Sequence, residues 1–256
     1  MDIQETGQTL AEARKAGEKL AKYPGARPAN LARAFSVQEA MIAAMGRDIV
    51  GWKVGLTSEK AQEICGYGAP LAGPVFAGDS HEDGVVLPVL AGDLGILEAE
   101  IGLRMATDLP PRATPYTRDE VISAIGTVLP MIEWVNKRLP GGLREDAEWI
   151  VADGVMNRCV ICGSERPFHA GLDLAQTSVQ AEVDGQSVTE GVGANAMGGP
   201  LEVLTWLAGD LNARGRGLKA GEVISTGLVC DVIQAVPGTQ VSAAVAGIGT
   251  VTLTIV

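Results

Sequence analysis

Two periodicities divide the chain. In residues 11–20 and 36–45 apolar positions, many of them alanine, recur at helical spacing, and Pro24, Gly25 and Pro28 interrupt the chain between them. After Gly46 the period changes. Residues 49–55 read as a strand with glycine at two positions, and 57–64 as a short helix. The Gly/Pro-rich stretch 66–78 reads as a long irregular loop, of a kind that often carries function. From there strands dominate. They are expected at 95–105, at 128–135, as a pair or one bent strand over 149–162, and at 221–230 and 241–256. Asp184-Gly185 marks a hairpin turn within 178–188. Thr117 with Glu120 forms a capping box that opens a helix reaching Gly126, and Pro200 starts an amphipathic helix to Asn212. The resulting picture is an α+β protein, with a small N-terminal α/β region over 1–70 and a strand-rich body over 71–256.

Composition narrows the function classes. The 256 residues are 46% hydrophobic and 20% charged, which excludes a disordered chain. Twenty basic against 31 acidic residues leave a net charge of −11, which disfavours nucleic-acid binding in the absence of a basic patch. The uncharged C-terminal stretch 241–256 is interrupted by Gly247 and Gly249 and is rich in Val and Thr, so it reads as β structure rather than a membrane span. The first five residues lack the basic and apolar regions of a signal peptide, and a cytoplasmic location is the expectation. Four cysteines do not make a disulfide scaffold. Cys159 and Cys162 form a C-x-x-C inside an expected strand, where residues three apart face opposite ways; they read as buried thiols rather than a zinc or redox site.

The sharpest chemical feature is Leu97-Glu98-Ala99-Glu100-Ile101. In a strand, positions i and i+2 share a face, so both carboxylates can approach one cation. Their neighbours are apolar, and burying two like charges is unfavourable unless a metal compensates. Glu133, in a second apolar strand, poses the same question. Three carboxylates suit Mg2+ or Mn2+; the alternative is a solvent-facing strand. Lys53, a single base among Trp, Val and Gly, has two readings: a lysine whose stem packs while its ammonium reaches water, or a group that steadies an enolate or moves a proton. Gly191–Ala196 has a G-x-G spacing but follows a hairpin, not a βαβ unit, so it reads as a close-packed turn before the Pro200 helix. That helix start is suited to a carboxylate.

The ordered set of segments resembles a known group. Val50-Gly51-Trp52-Lys53-Val54-Gly55-Leu56-Thr57, Leu97-Glu98-Ala99-Glu100-Ile101, Ile132-Glu133 followed by Arg138, and Val151-Ala152-Asp153 occur in order. Gly193-Ala194, Gly198-x-Pro200, Thr205-Trp206-Leu207-Ala208 and Leu218-x-Ala220-Gly221-Glu222-Val223 follow. Together with Ser36-Val37-Gln38, they cover nearly the whole chain, which resembles the 2-keto-4-pentenoate hydratase and 4-oxalocrotonate decarboxylase family of the fumarylacetoacetase superfamily. The resemblance implies a rolled mixed β-structure preceded by a small α/β region, usually a homo-oligomer. It implies Glu98, Glu100 and Glu133 as metal ligands, Lys53 as the active-site lysine, and Asp153 as a catalytic acid of an Ala-Asp-Asn segment. Gly154 stands where the family usually has that asparagine, and Asn136-Lys137 replaces a more usual Asp-Ser before Arg138.

The implied partner is a small 2-oxo acid. The leading expectation is a lyase that hydrates a 2-hydroxy-2,4-dienoate to a 4-hydroxy-2-oxo acid in the breakdown of aromatic compounds. The alternatives are decarboxylation of a 4-oxalocrotonate-like substrate, hydrolysis of an acylpyruvate, and a non-catalytic scaffold that binds a 2-oxo acid or partners an active relative. Acylpyruvate hydrolysis lacks its usual His-Glu pair here. Gly198, Arg138, Ser225 and Thr226 are the candidate substrate-binding groups, with strand-end packing the other reading of the two hydroxyls. Arg47, Arg138 and Arg158 are each candidates for a distal carboxylate, or else ordinary surface ion pairs.

Overall fold

The computed structural model describes residues 2–90, 95–141 and 145–256. The chain opens with helices α1 (Ile3–Ala16) and α2 (Leu31–Met45), strand β1 (Ile49–Gly55) and helix α3 (Glu59–Cys65). Strands β2 (Leu71–Phe76), β3 (Ser80–Glu82), β4 (Val85–Leu87) and β5 (Ile96–Met105) follow, then α4 (Arg118–Ser123) and β6 (Ile125–Val135). Next come α5 (Ala147–Ala152), β7 (Asn157–Cys162), β8 (Arg166–Pro167) and the hairpin β9 (Ser178–Val183) and β10 (Gln186–Val192). Helix α6 (Pro200–Ala213) precedes β11 (Val223–Ser225), β12 (Ile233–Gln234), β13 (Gln240–Val245) and β14 (Gly249–Ile255).

Local signals set most helix ends. Asp2 and Asn30 accept backbone N–H groups at the starts of α1 and α2, and Gly17 and Gly46 close them in the left-handed conformation. The Thr117–Glu120 capping box forms in full.

Among the described residues the strands make two sheets. The larger runs β2-β1-β11-β5-β6-β7-β3, and the smaller β10-β9-β13-β14-β4. The larger sheet is mixed: β1 runs parallel to β11 and antiparallel to β2, and β5 lies antiparallel to both β11 and β6. It also rolls, because β2 at one edge comes into contact with β7 near the other. Inward side chains Val75, Leu129, Met131, Val160 and Val223 fill the roll. Outward side chains of β5 and β6, such as Leu97, Ala99, Ile101, Ile132 and Trp134, join the smaller sheet and α6 in the main core. Strand β5 is therefore covered on both faces, which explains the apolar flanks of its glutamates.

Two expectations change. The stretch 66–78 is not all loop: β2 lies within it, buried at every position. Its Gly and Pro are compatible with a strand because β2 is at the end of the sheet order. Gly73 is required there, since a Cβ would sit 2.2 Å from the carbonyl oxygen of Gly154. Residues 149–162 are a helix and a strand rather than a strand pair; a short apolar run has no decisive period, and here Asp146 starts a helix that packs on α2. Strand β1, from the N-terminal 70 residues, lies between β2 and β11 in the large sheet. Cys159 and Cys162 are free thiols, the first buried and the second half-buried. No helix among the described residues is long and apolar enough to cross a membrane.

Candidate metal centre

Glu98 and Glu133 are direct partners across the antiparallel β5–β6 pair, and Glu100 lies two residues along the same face of β5. Each contributes a carboxylate oxygen to a cluster whose atoms all lie within 4.8 Å of one another. Glu100 and Glu133 are fully buried and Glu98 is partly so. Lys53 reaches the cluster from β1, and its Nζ is 3.1 Å from Glu133 Oε1. It arrives there because β1 is parallel to β11, in register Lys53 to Ser225, and β11 pairs with β5.

The donors around the carboxylates divide their oxygens. Ser225 Oγ donates to Glu100 Oε2 at 2.6 Å, and Asn157 Nδ2 donates to Glu133 Oε1 at 3.0 Å. Glu100 Oε1 and Glu133 Oε2 are buried without a donor among the described residues. Such atoms are expensive to leave unmatched. Burial and the charge of Glu133 push Glu98 up to about 7, against the pull of Lys53. Burial, Glu133 and Glu98 together hold Glu100 well above the usual carboxylate range, outweighing the Ser225 hydroxyl and Lys53. For Lys53, burial opposes the charged form, but Glu133, Glu98 and Glu100 outweigh it and the ammonium is favoured. Three carboxylates face one ammonium. The two orphaned oxygens and the excess negative charge fit a hard divalent cation, which takes oxygen ligands.

The other expected residues fall elsewhere. Asp153 ends α5 and is buried with Arg138, whose Nε donates to its Oδ1 at 2.8 Å and whose Nη2 donates to its backbone oxygen at 2.9 Å. No hydrogen bond or ion pair joins Asp153 to Lys53 among the described residues. The end of α5 and the chain after β6 meet there, and the two opposite charges pair. Ser225 contacts Glu100. Thr226 Oγ1 donates to the carbonyl of Ile101 at 2.6 Å, the strand-end packing alternative. Gly198 lines a cavity beside Arg118, Asp173 and Glu202, not the carboxylate cluster. Position 154 also points away: a Cβ there would meet Met41 Cε at 3.2 Å and Arg14 Nη1 at 3.6 Å. Asn157 was not singled out by the sequence, because an amide at a strand start carries no local signature.

Comparison with known proteins follows the same lines. The profile of the fumarylacetoacetate (FAA) hydrolase C-terminal family matches residues 72–256. The chain belongs to the fumarylacetoacetate hydrolase family. Its relatives within it include a 2-keto-4-pentenoate hydratase from Paraburkholderia xenovorans, 30% identical over 97% of this chain and 93% of that protein. A 2-hydroxyhexa-2,4-dienoate hydratase from Comamonas testosteroni is also 30% identical, over 97% of this chain and 95% of its own. In structure the chain resembles a 4-oxalocrotonate decarboxylase from Pseudomonas putida G7, complexed with magnesium and adipate. The TM-score is 0.87 at 27% identity, covering 99% of this chain and 97% of that one. The same decarboxylase complexed with calcium and acetate gives 0.86.

Proposed function

We propose that this member of the fumarylacetoacetate hydrolase family is a metal-dependent lyase, hydrating a 2-hydroxy-2,4-dienoate to a 4-hydroxy-2-oxo acid. The observation that carries the reading is the buried Glu98–Glu100–Glu133 cluster beside Lys53, with two carboxylate oxygens left unmatched. The hydratase names of relatives that align along nearly the whole chain support it. Glu98, Glu100 and Glu133 would hold Mg2+ or Mn2+. Bound there, a divalent ion supplies Lewis-acid stabilisation of negative charge on the 2-oxygen of a 2-oxo acid.

The chain's own groups account for the rest. Ketonisation of 2-hydroxypenta-2,4-dienoate moves the hydroxyl proton to C5, and water then adds across C3–C4, its oxygen to C4. Negative charge gathers at the 2-oxygen in both steps. Lys53 keeps a positive charge in the buried site, and Nζ is the group that holds or passes a proton there. Ser225 and Asn157 keep the carboxylates of Glu100 and Glu133 in place. Burial of Lys53, Glu100 and Glu133 strengthens the charge interactions in the site. Aromatic catabolism and a homo-oligomeric assembly, which the family resemblance implies, and the cytoplasmic location expected from the N-terminal residues complete the reading.

Decarboxylation of a 4-oxalocrotonate-like substrate is the second reading, supported by the TM-score of 0.87 to that decarboxylase. The burial of Arg138 against Asp153 weighs against it, because it removes one cation expected for a second carboxylate. The test follows the ultraviolet absorbance of freshly generated 2-hydroxypenta-2,4-dienoate with purified protein and Mg2+, beside a chelator-treated sample. Metal-dependent loss of the dienol with formation of 4-hydroxy-2-oxopentanoate is expected. No turnover of the dienol, with carbon dioxide released from 4-oxalocrotonate, would replace hydration by decarboxylation.

A further inference from the structure

The carboxylate cluster is linked to the N-terminal helix by a buried polar chain. Arg14, on α1, has a side chain only 5% exposed, and its guanidinium lies 4.9 Å from the centre of the Phe76 ring. Its Nη2 donates to Asp79 Oδ2 at 2.8 Å, to Asn157 Oδ1 at 3.0 Å and to the carbonyl of Arg158 at 3.4 Å. Its Nε donates to Asp79 Oδ2 at 3.1 Å. Asn157, fully buried, then donates from Nδ2 to Glu133 Oε1.

The direction of this chain is chemically determined. A guanidinium only donates, so the atom of Asn157 that faces it must be the carbonyl oxygen. The NH2 group must therefore face Glu133. With Lys53 it gives Glu133 Oε1 two donors, and Oε2 is the oxygen left for another partner. The amide is brought to this face by an irregularity in the ladder. Trp134 pairs with Cys159 but Val135 pairs with Asn157, so Arg158 is an extra residue that re-aims the start of β7.

We infer that Arg14 and Asn157 form a positioning relay, running from the N-terminal helix to Glu133, that dictates which carboxylate oxygen faces the cation site. The inference rests on the proposed metal-dependent reading. It gives α1 a part in the site beyond packing: the helix supplies the charge that keeps the Asn157 amide from turning over. Outer groups that orient ligands in this way typically contribute 10–100-fold to metal affinity.

The test measures Mn2+ binding to the purified full-length chain by electron paramagnetic resonance of the free ion, with melting temperatures in chelator alongside. Asn157→Leu removes the donor to Glu133 while leaving Arg14 on Asp79, and Mn2+ affinity is expected to fall by roughly 10–100-fold. Arg14→Met tests the other end and is the safer variant for folding, because Asp79 keeps Arg47 at 3.1 Å. It is expected to weaken Mn2+ by about tenfold. The double variant should bind no more weakly than Asn157→Leu alone, as members of one chain are not additive. Wild-type Mn2+ affinity in Arg14→Met, or in a folded Asn157→Leu, would overturn the relay even if the melting temperature drops. Additive losses would overturn it too. A wild-type protein that binds no Mn2+ would overturn the metal reading, and this inference with it.

Discussion

Two clusters of buried charge lie on either side of Asn157, and they differ in balance. On one side Arg14 and Arg138 face Asp79 and Asp153, with Arg47 reaching Asp79 from the partly exposed rim. On the other, Glu98, Glu100 and Glu133 face Lys53 alone. Each side has unmatched atoms. In the first they are a donor and an acceptor, Arg14 Nη1 and Asp153 Oδ2; in the second they are two acceptors, Glu100 Oε1 and Glu133 Oε2. In the first cluster every buried charge has an opposite partner, and the cluster docks α1 and α5. The second carries an excess of one sign that no side chain answers, and that marks a place for a ligand. Burial of charge alone does not identify a site; an uncompensated remainder does.

The largest expected effect separates chemistry from binding. Lys53→Met should lower turnover of the dienol by on the order of 10²–10⁴-fold, the range for a lost proton-handling group, while Mn2+ still binds. Unchanged turnover would reduce Lys53 to a partner of Glu133. On the balanced side, Asp153→Asn leaves Arg138 charged and buried, and should lower unfolding stability by about 3–5 kcal/mol in denaturant titrations. Its Mn2+ affinity should stay within about twofold of wild type, since Asp153 hydrogen-bonds Arg138 and not the Arg14–Asn157 chain; a large loss would couple Asp153 to the metal site.

Glu100→Gln sharpens the contrast, because it removes a charge from the unbalanced side. Calorimetric titration should show Mg2+ weakened by more than about 100-fold, beyond the range for an outer group. In chelator the same variant should melt at or above the wild-type temperature, since like-charge repulsion is relieved. A lower melting temperature would mean that the carboxylate trio is already satisfied without a cation. The smallest effect belongs to Ser225→Ala, which frees Glu100 Oε2. Mg2+ affinity should fall up to about tenfold, at the low end for an outer group, and no change would make the hydroxyl incidental.

Much of the candidate site was legible along the chain because its geometry is local. Two glutamates at i and i+2 in a strand share a face whatever the rest of the protein does, and their apolar flanks already imply that the face is covered. Glu133 and Lys53 stood out as single charges in apolar strands. The helix caps at Thr117 and Pro200 and the Asp184-Gly185 turn were equally plain. The misread segments share a cause. In 66–78 glycine and proline signal a loop, yet Gly73 is there for a close approach of the 154 carbonyl and Pro74 sits in a strand at the end of the sheet order. In 149–162 the short apolar run 149–152 fits a helix or a strand, and packing on α2 decided for the helix.

Partnerships across long separations had no signature at all. Nothing in the sequence announced that Arg138 and Asp153 pair with each other. Arg14 lies 143 positions from the Asn157 it contacts. Which side chains carry charge, and which strand face they occupy, follow from residue type and the two-residue period of a strand. Whether a buried charge is neutralised depends on which distant strands and helices the rolled sheet brings together, because ion pairing is a matter of a few ångströms in space and is indifferent to distance along the chain.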